Sequence, residues 1–322
     1  NWNSKNKVPQ LVLNSTSVNT GHNFQFTASW MGEPPGHIQP EVDEKPRLRR
    51  MYYEQAPPNY RQISIGFAVG ASSCVPALFE PLPMNDLYLD ENDKNLELQL
   101  IDGGVHDNQG IASLLEQECM NMIISDASGQ MSTTMVKTDN MMSLFMRSDT
   151  IIQERVREVQ FKDVTQRHET LQLKSLDMLH LKNGLQKRPW NWIGCKDKAR
   201  DNNENSWLSG SKEYSKYDIL REAQTKISEI RTDLDSFNDT EAYALMYTGY
   251  IQTLKELGVE SKVVDWKFLR VASYLTKKDK YPKVSKILNS ASKVPFKVFR
   301  NSVPALISII FFALTIFFFL LI

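Results

Sequence analysis

The chain has 322 residues, 41% hydrophobic and 24% charged, enough to bury a core and too apolar for a disordered polymer. Lysine plus arginine and aspartate plus glutamate both total 38, so the net charge is zero, which excludes a uniformly basic nucleic-acid binder. The balance conceals a gradient. Residues 1–130 carry 8 basic and 16 acidic side chains, whereas Lys262 to Arg300 holds eleven basic residues against Asp265 and Asp279. Cys74, Cys119 and Cys195 are widely spaced and form no C-x-x-C pair, which argues against a disulfide framework or a zinc ribbon.

Read in chain order, Val8-Pro9-Gln10-Leu11-Val12-Leu13 enters a strand over Leu11–Val18, followed by strands at Asn23–Ser29, Leu96–Ile101 and Met120–Ser125. Helices are expected at Ser72–Phe79 and Gln109–Glu118. The alternation of the two predicts an α/β sheet domain. From 143 to 182 apolar residues recur at helical spacing: Ile151, Ile152, Val156 and Val159, then Leu176 and Leu179. Residues 183–214 are polar and carry Trp190, Trp192 and Trp207, the composition of a surface insertion. A helical extension follows over 215–300. It has one helix near Tyr217–Ile230 and another capped by Asn238 with Glu241 three residues on, ending near Gly258.

Pro304 to Ile322 is nineteen residues without a charge, reaching roughly 28 Å as a helix against about 30 Å of bilayer hydrocarbon. It reads as a transmembrane helix. The basic segment 262–300 before it then lies on the cytoplasmic side against anionic phospholipid headgroups, and no nucleic acid is needed to explain its charge.

The chemistry-bearing stretch is Leu98-Gln99-Leu100-Ile101-Asp102-Gly103-Gly104: a strand that delivers a carboxylate to its C-terminal end, with two glycines permitting positive φ and close backbone approach. Taken alone, Asp-Gly-Gly also describes a turn that caps the next helix. Asp102, His106 and Asp107 lack a second cluster to complete a metal shell, and Asp90-Glu91-Asn92-Asp93-Lys94 lacks the glycine and glutamate of a calcium loop. Ser125-Asp126-Ala127-Ser128-Gly129 reads as a turn after a strand.

In order along the chain, Leu13-Asn14-Ser15-Thr16-Ser17-Val18-Asn19-Thr20-Gly21 with Phe24-Gln25-Phe26, then Gly70-Ala71-Ser72-Ser73-Cys74-Val75-Pro76-Ala77-Leu78-Phe79, then Asp102-Gly103-Gly104 resemble the second half of a patatin-like phospholipase domain. The stretches Ile230–Phe237 and Glu241–Met246 loosely resemble the tail of bacterial members. The resemblance implies a three-layer α/β/α domain, of which residues 1–182 form the C-terminal part, followed by the helical extension and the membrane segment. It implies lipid acyl hydrolysis by a Ser–Asp dyad, with Asp102 as the base, Gly103 and Gly104 shaping its turn, membrane lipid as substrate, and no cofactor or metal. The G-x-S-x-G elbow of such domains is missing: the nearest stretch, Gly70-Ala71-Ser72-Ser73-Cys74, fails at its last position. The nucleophile is therefore expected on polypeptide preceding Asn1, and this chain alone is expected to be inactive. A membrane-anchored, non-catalytic scaffold is the competing expectation, with Asp-Gly-Gly serving only as a turn.

Overall fold

The computed structural model describes residues 9–35, 47–76, 78–90, 92–128, 140–185, 192–194, 213–231, 237–260 and 265–291. They fall into two units, one of residues 1–124 and 133–176 and one of residues 125–132 and 177–322, each described by itself below.

The first unit is built on a six-stranded sheet of order β4-β3-β2-β1-β6-β5. Its strands are β1 Leu13–Ser17, β2 Asn23–Phe26, β3 Trp30–Gly32, β4 Met51–Tyr52, β5 Leu82–Leu89 and β6 Asn95–Asp102. Every pairing is antiparallel. This corrects the expectation of a patatin-like three-layer α/β/α domain. That architecture rests on parallel strands joined by helical crossovers, whereas β1–β2, β2–β3 and β5–β6 are joined by turns too short for a helix. β3 and β4 are too short to leave a periodic signal, and Pro83 argues against a strand over 82–89. The proline is accommodated because β5 is an edge strand, with a register shift between Met84 and Tyr88 where Asp86 adopts positive φ.

The faces of the sheet differ in chemistry. Phe24, Phe26, Met31, Met84, Leu98 and Leu100 form an apolar core with Ala68 and Ala71 of α1 Ile65–Ser72. The expected helix at 72–79 is displaced to 65–72. Ser64 caps it by accepting from the Phe67 N–H at 3.1 Å, and the chain leaves it before Val75-Pro76, where proline disfavours helix in the preceding residue. On the other face Gln25 donates to Ser113 (3.0 Å) and Glu116 (2.9 Å), both on α3 Ile111–Glu116. Arg50 pairs with Glu116 and lies 4.0 Å from the Trp30 ring centroid. A buried carboxylate is tolerable only when satisfied in this way.

After β7 Asn121–Asp126 comes α4 Met141–Glu169, and then β8 Ser175–His180, which pairs with β7 in a two-stranded sheet. The helical reading of Leu176 and Leu179 is thus overturned. Leu171 takes positive φ just past α4 and ends it, and two leucines are too few to establish a helical period beyond that point.

The second unit packs α5 Arg221–Ser228, α6 Asp239–Glu256, α7 Ala272–Thr276 and α8 Pro282–Ala291 around Tyr217, Ile219, Ile227, Ala244, Leu275 and Leu288. The capping box is present as read: Asn238 accepts from Glu241 N–H (3.0 Å), and Glu241 accepts from Asn238 N–H (3.1 Å). Among the described residues no helix is long and apolar enough to cross a membrane; residues 304–322, where a span was expected, lie outside them, as do Trp190 and Trp207.

Gly103 and Gly70 make a contrasting pair. A Cβ on Gly103 would stand 2.3 Å from the Asn14 carbonyl oxygen, whereas one on Gly70, in α1, would meet nothing within 4 Å. Gly103→Ala is expected to lower stability in urea unfolding by about 3 kcal/mol, since backbone must move, and Gly70→Ala to raise it by roughly 0.5–1 kcal/mol.

Candidate functional site around Asp102

Asp102 ends the alternating row Leu98, Leu100, Asp102 along β6, directly opposite Ser15 of β1. The row packs toward α1, so the pleat carries a carboxylate to the rim of an apolar face and leaves it half-buried. Its backbone is held from three sides. The Asp102 N–H donates to the Cys74 carbonyl (2.9 Å), the Gly103 N–H to the Ser72 carbonyl (3.2 Å), and Thr16 Oγ1 donates to the Asp102 carbonyl (2.9 Å). Ser15 Oγ donates to the Ile101 carbonyl at 2.8 Å. These bonds explain how Leu13-Asn14-Ser15-Thr16-Ser17, a polar run, can form an interior strand with Ser15, Thr16 and Ser17 buried: the Ser15 and Thr16 hydroxyls donate to neighbouring carbonyls, and Ser17 Oγ accepts from the Thr20 N–H (3.2 Å).

The glycines after Asp102 act differently from the expectation of positive φ. Gly103 has φ −65°, ordinary right-handed geometry. What it supplies is closeness to Asn14, and a Cβ on Gly104 would come within 2.9 Å of Asp102 Oδ1 and of Asn108 Oδ1. The absence of that Cβ lets the Gly104 N–H donate to Asp102 Oδ1 at 2.6 Å. Asp102 Oδ2 has no hydrogen-bond partner among the described residues. Burial raises the Asp102 pKa from its ordinary value of 3.8, and the Gly104 N–H opposes that rise.

Asp107, four residues beyond Gly103, is a structural carboxylate. Its Oδ1 accepts from Ile111 N–H (3.1 Å) and Gln160 Nε2 (3.2 Å), and its Oδ2 from Ala112 N–H (2.8 Å), so it caps α3 and ties α4 to it. Between the two aspartates, on α2 Gly104–Asp107, lies His106. Burial depresses its pKa, with Asp107 acting to raise it and His22 and Arg47 to lower it. His22 Nδ1 sits 3.1 Å from Glu33 Oε2, which also accepts from the Leu48 N–H at 3.0 Å, while Thr20 donates to Glu33 Oε1. No sequence motif announces this buried His22–Glu33 pair, because its members are eleven residues apart and meet only through the β2–β3 turn. Among the described residues no group of three or more His, Cys, Asp or Glu is arranged to hold a metal ion.

Other residues weighed from the sequence take structural positions. Ser73 Oγ donates to the Val69 carbonyl (2.8 Å), inside the turn that ends α1. Asp90 Oδ1 accepts from Asn92 and Lys94 N–H groups, both at 2.8 Å, closing the β5–β6 hairpin as a solvated turn. In the second unit Asp126 Oδ1 accepts from Ser128 N–H (3.0 Å) and Oγ (2.5 Å), and His180 Nε2 lies 3.6 Å from Asp126 Oδ2. The carboxylate stands between hydroxyl and imidazole, the reverse of the order in which histidine activates serine. It is a turn, as its sequence suggests.

Comparison of the chain with protein-family models, with curated proteins and with solved structures finds no match. The assignment of the site therefore rests on its own geometry.

The raised pKa of Asp102 sets the sign of its effect on stability. Between 3.8 and the folded pKa the native state binds more protons than the unfolded chain, so stability falls as pH rises through that window and stays lower above it. Asp102→Asn keeps an oxygen for the Gly104 N–H and removes the buried charge. It is expected to raise the urea midpoint at pH 7, with the gain vanishing as pH falls below 3.8. A residue needed only as a turn cap would show the opposite.

Proposed function

We propose that this chain supplies the general base of a serine acyl ester hydrolase acting on membrane lipid, and that Asp102 is that base. The observation that carries the reading is the state of its carboxylate: one oxygen oriented by the Gly104 N–H, the other without a partner among the described residues, and a proton affinity raised by burial. A structural aspartate spends both oxygens, as Asp107 does; a base needs one open and a pKa moved toward neutrality. The ordered resemblance to patatin-like phospholipases supports the choice of a hydroxyl as the group it serves. The antiparallel sheet bears on the architecture of the domain, and the base chemistry asks only for a carboxylate held at a strand end.

In the reaction Asp102 Oδ2 takes the proton of a serine hydroxyl as Oγ bonds the ester carbonyl carbon. The proton passes to the departing alkoxide as its C–O bond breaks, and water then hydrolyses the acyl-enzyme with Asp102 again as base. No serine, threonine or cysteine side chain among the described residues hydrogen-bonds the Asp102 carboxylate, so the alcohol belongs outside them. For location, the reading places exposed Lys277, Lys278, Lys283 and Lys286 against anionic headgroups; Val284, Leu288 and Ala291 of α8 are buried and leave the helix's lysines to solvent. A non-catalytic scaffold is favoured by the tight seating of Gly103 on Asn14, which a pure turn would also need.

The two readings separate on one substitution. In the active hydrolase Asp102→Asn is expected to cut hydrolysis of a short acyl ester by about 10²–10⁴-fold while the protein stays folded. Near-parental turnover in the folded variant would remove Asp102 as base and leave the scaffold reading.

A further inference from the structure

We propose that the groove between α5 and the start of α8, in the second unit, binds a small organic cation through a primary ammonium, with Glu222, Thr225 and Tyr281 as its acceptors. The groove has a volume of about 630 Å³, within the roughly 300–1,000 Å³ of small-molecule sites. Leu220 and Pro282 give it apolar walls. Tyr281 also lines it, is 6% exposed, and carries a buried hydroxyl with no hydrogen-bond partner. Burial pushes the Tyr281 pKa up to about 12 and the Glu222 charge adds to the rise, so the phenol stays protonated beside that carboxylate. A phenylalanine would fill the same space without leaving a polar group unpaired. What the hydroxyl adds is a contact for something that enters the groove.

The state of the lining groups selects the charge of the ligand. The donors are engaged: Arg221 Nη1 donates to the Gly184 carbonyl at 2.8 Å, and Lys278 Nζ pairs with Glu213 Oε1 at 2.7 Å. The acceptors are open. Glu222 is exposed and makes no hydrogen bond or ion pair among the described residues. Thr225 Oγ1 gives its hydrogen to the Arg221 carbonyl (2.8 Å) and keeps its lone pairs, and the Tyr281 oxygen can accept as well as donate. Three acceptors match the three N–H donors of an ammonium, and the apolar walls suit a short hydrocarbon chain. The N-terminus of α5 alone would favour an anion, but Glu222 in its first turn occupies that field, and the Arg221 N–H is bonded to the Glu213 carbonyl (2.9 Å). An anion in the groove would therefore face an uncompensated carboxylate. The site lies in the second unit and does not rest on the assignment of Asp102.

The test is equilibrium dialysis of the full chain, in a non-ionic detergent, against n-butylammonium, with n-butanol as the neutral isostere and n-butyrate as the anion. The amine is expected to bind at one site with a dissociation constant on the order of 1 mM, about tenfold or more tighter than the alcohol, and butyrate to stay unbound. Glu222→Gln keeps an acceptor and removes the charge; it should weaken amine binding about tenfold with the far-UV circular dichroism unchanged. Tyr281→Phe should weaken it by roughly threefold or more and at the same time raise the urea midpoint, because it removes an unpaired buried hydroxyl. That rise shows the variant to be folded, so its loss of affinity reports the contact. Equal uptake of amine and alcohol would overturn the proposal, as would amine binding that survives Glu222→Gln, which marks adventitious attraction to surface carboxylates. Parental affinity in Tyr281→Phe, or preference for butyrate, would overturn it equally.

Discussion

The first unit depends on the seating of β1 against the turn that follows β6. The strand is polar, interior and buried, a combination that is stable only because each hydroxyl has a carbonyl or N–H to bond: Ser15 to Ile101, Thr16 to Asp102, and Ser17 to Thr20. Gly103 completes the fit by lying where any Cβ would strike the Asn14 carbonyl. An apolar β1 would pack as well against Phe24 and Leu100, but it could not hold the backbone of residues 101–104 in place. The strand trades hydrophobic burial for position, and the object positioned is the Asp102 carboxylate.

That trade explains the electrostatics of the region. Asp102 and Asp107 are five residues apart and start from the same chemistry. Asp107 is met by the N–H groups opening α3 and by Gln160, which disperse its charge over both oxygens. Asp102 lies at the end of an apolar row and receives a single N–H. Burial without full compensation raises its proton affinity, and the same burial depresses that of His106 between them. The contrast comes partly from the nearby N–H groups of α3 and partly from Gln160 of α4 and the burial of Asp102, so Asp102-Gly103-Gly104 by itself could be read as either a base or a cap.

Where sequence reasoning went astray, the cause is visible in particular residues. An α/β layer was inferred because strands and helices alternate along the chain, yet alternation says nothing about strand direction. The five residues between β1 and β2, and the short turn closed by Asp90 between β5 and β6, admit only antiparallel neighbours. The helix expected at 72–79 missed the run Ile65-Gly66-Phe67-Ala68-Val69-Gly70, whose two glycines disguise it, and Leu176 and Leu179 fell on a strand because two residues are too few to establish a period.

What the sequence alone determined was local. The capping box at Asn238 and Glu241, the hairpin turn at Asp90, the turn at Asp126 and the delivery of Asp102 to a strand end are all decided by side chains within a few residues of one another. Tertiary structure decided everything that joins distant segments. It set the antiparallel order of the sheet, the seating of Gly103 on Asn14, the His22–Glu33 pair and the burial that raises the proton affinity of Asp102. The reason is physical: capping and turn formation depend on backbone groups the chain carries along with it, whereas desolvation and close approach depend on which surfaces meet after folding.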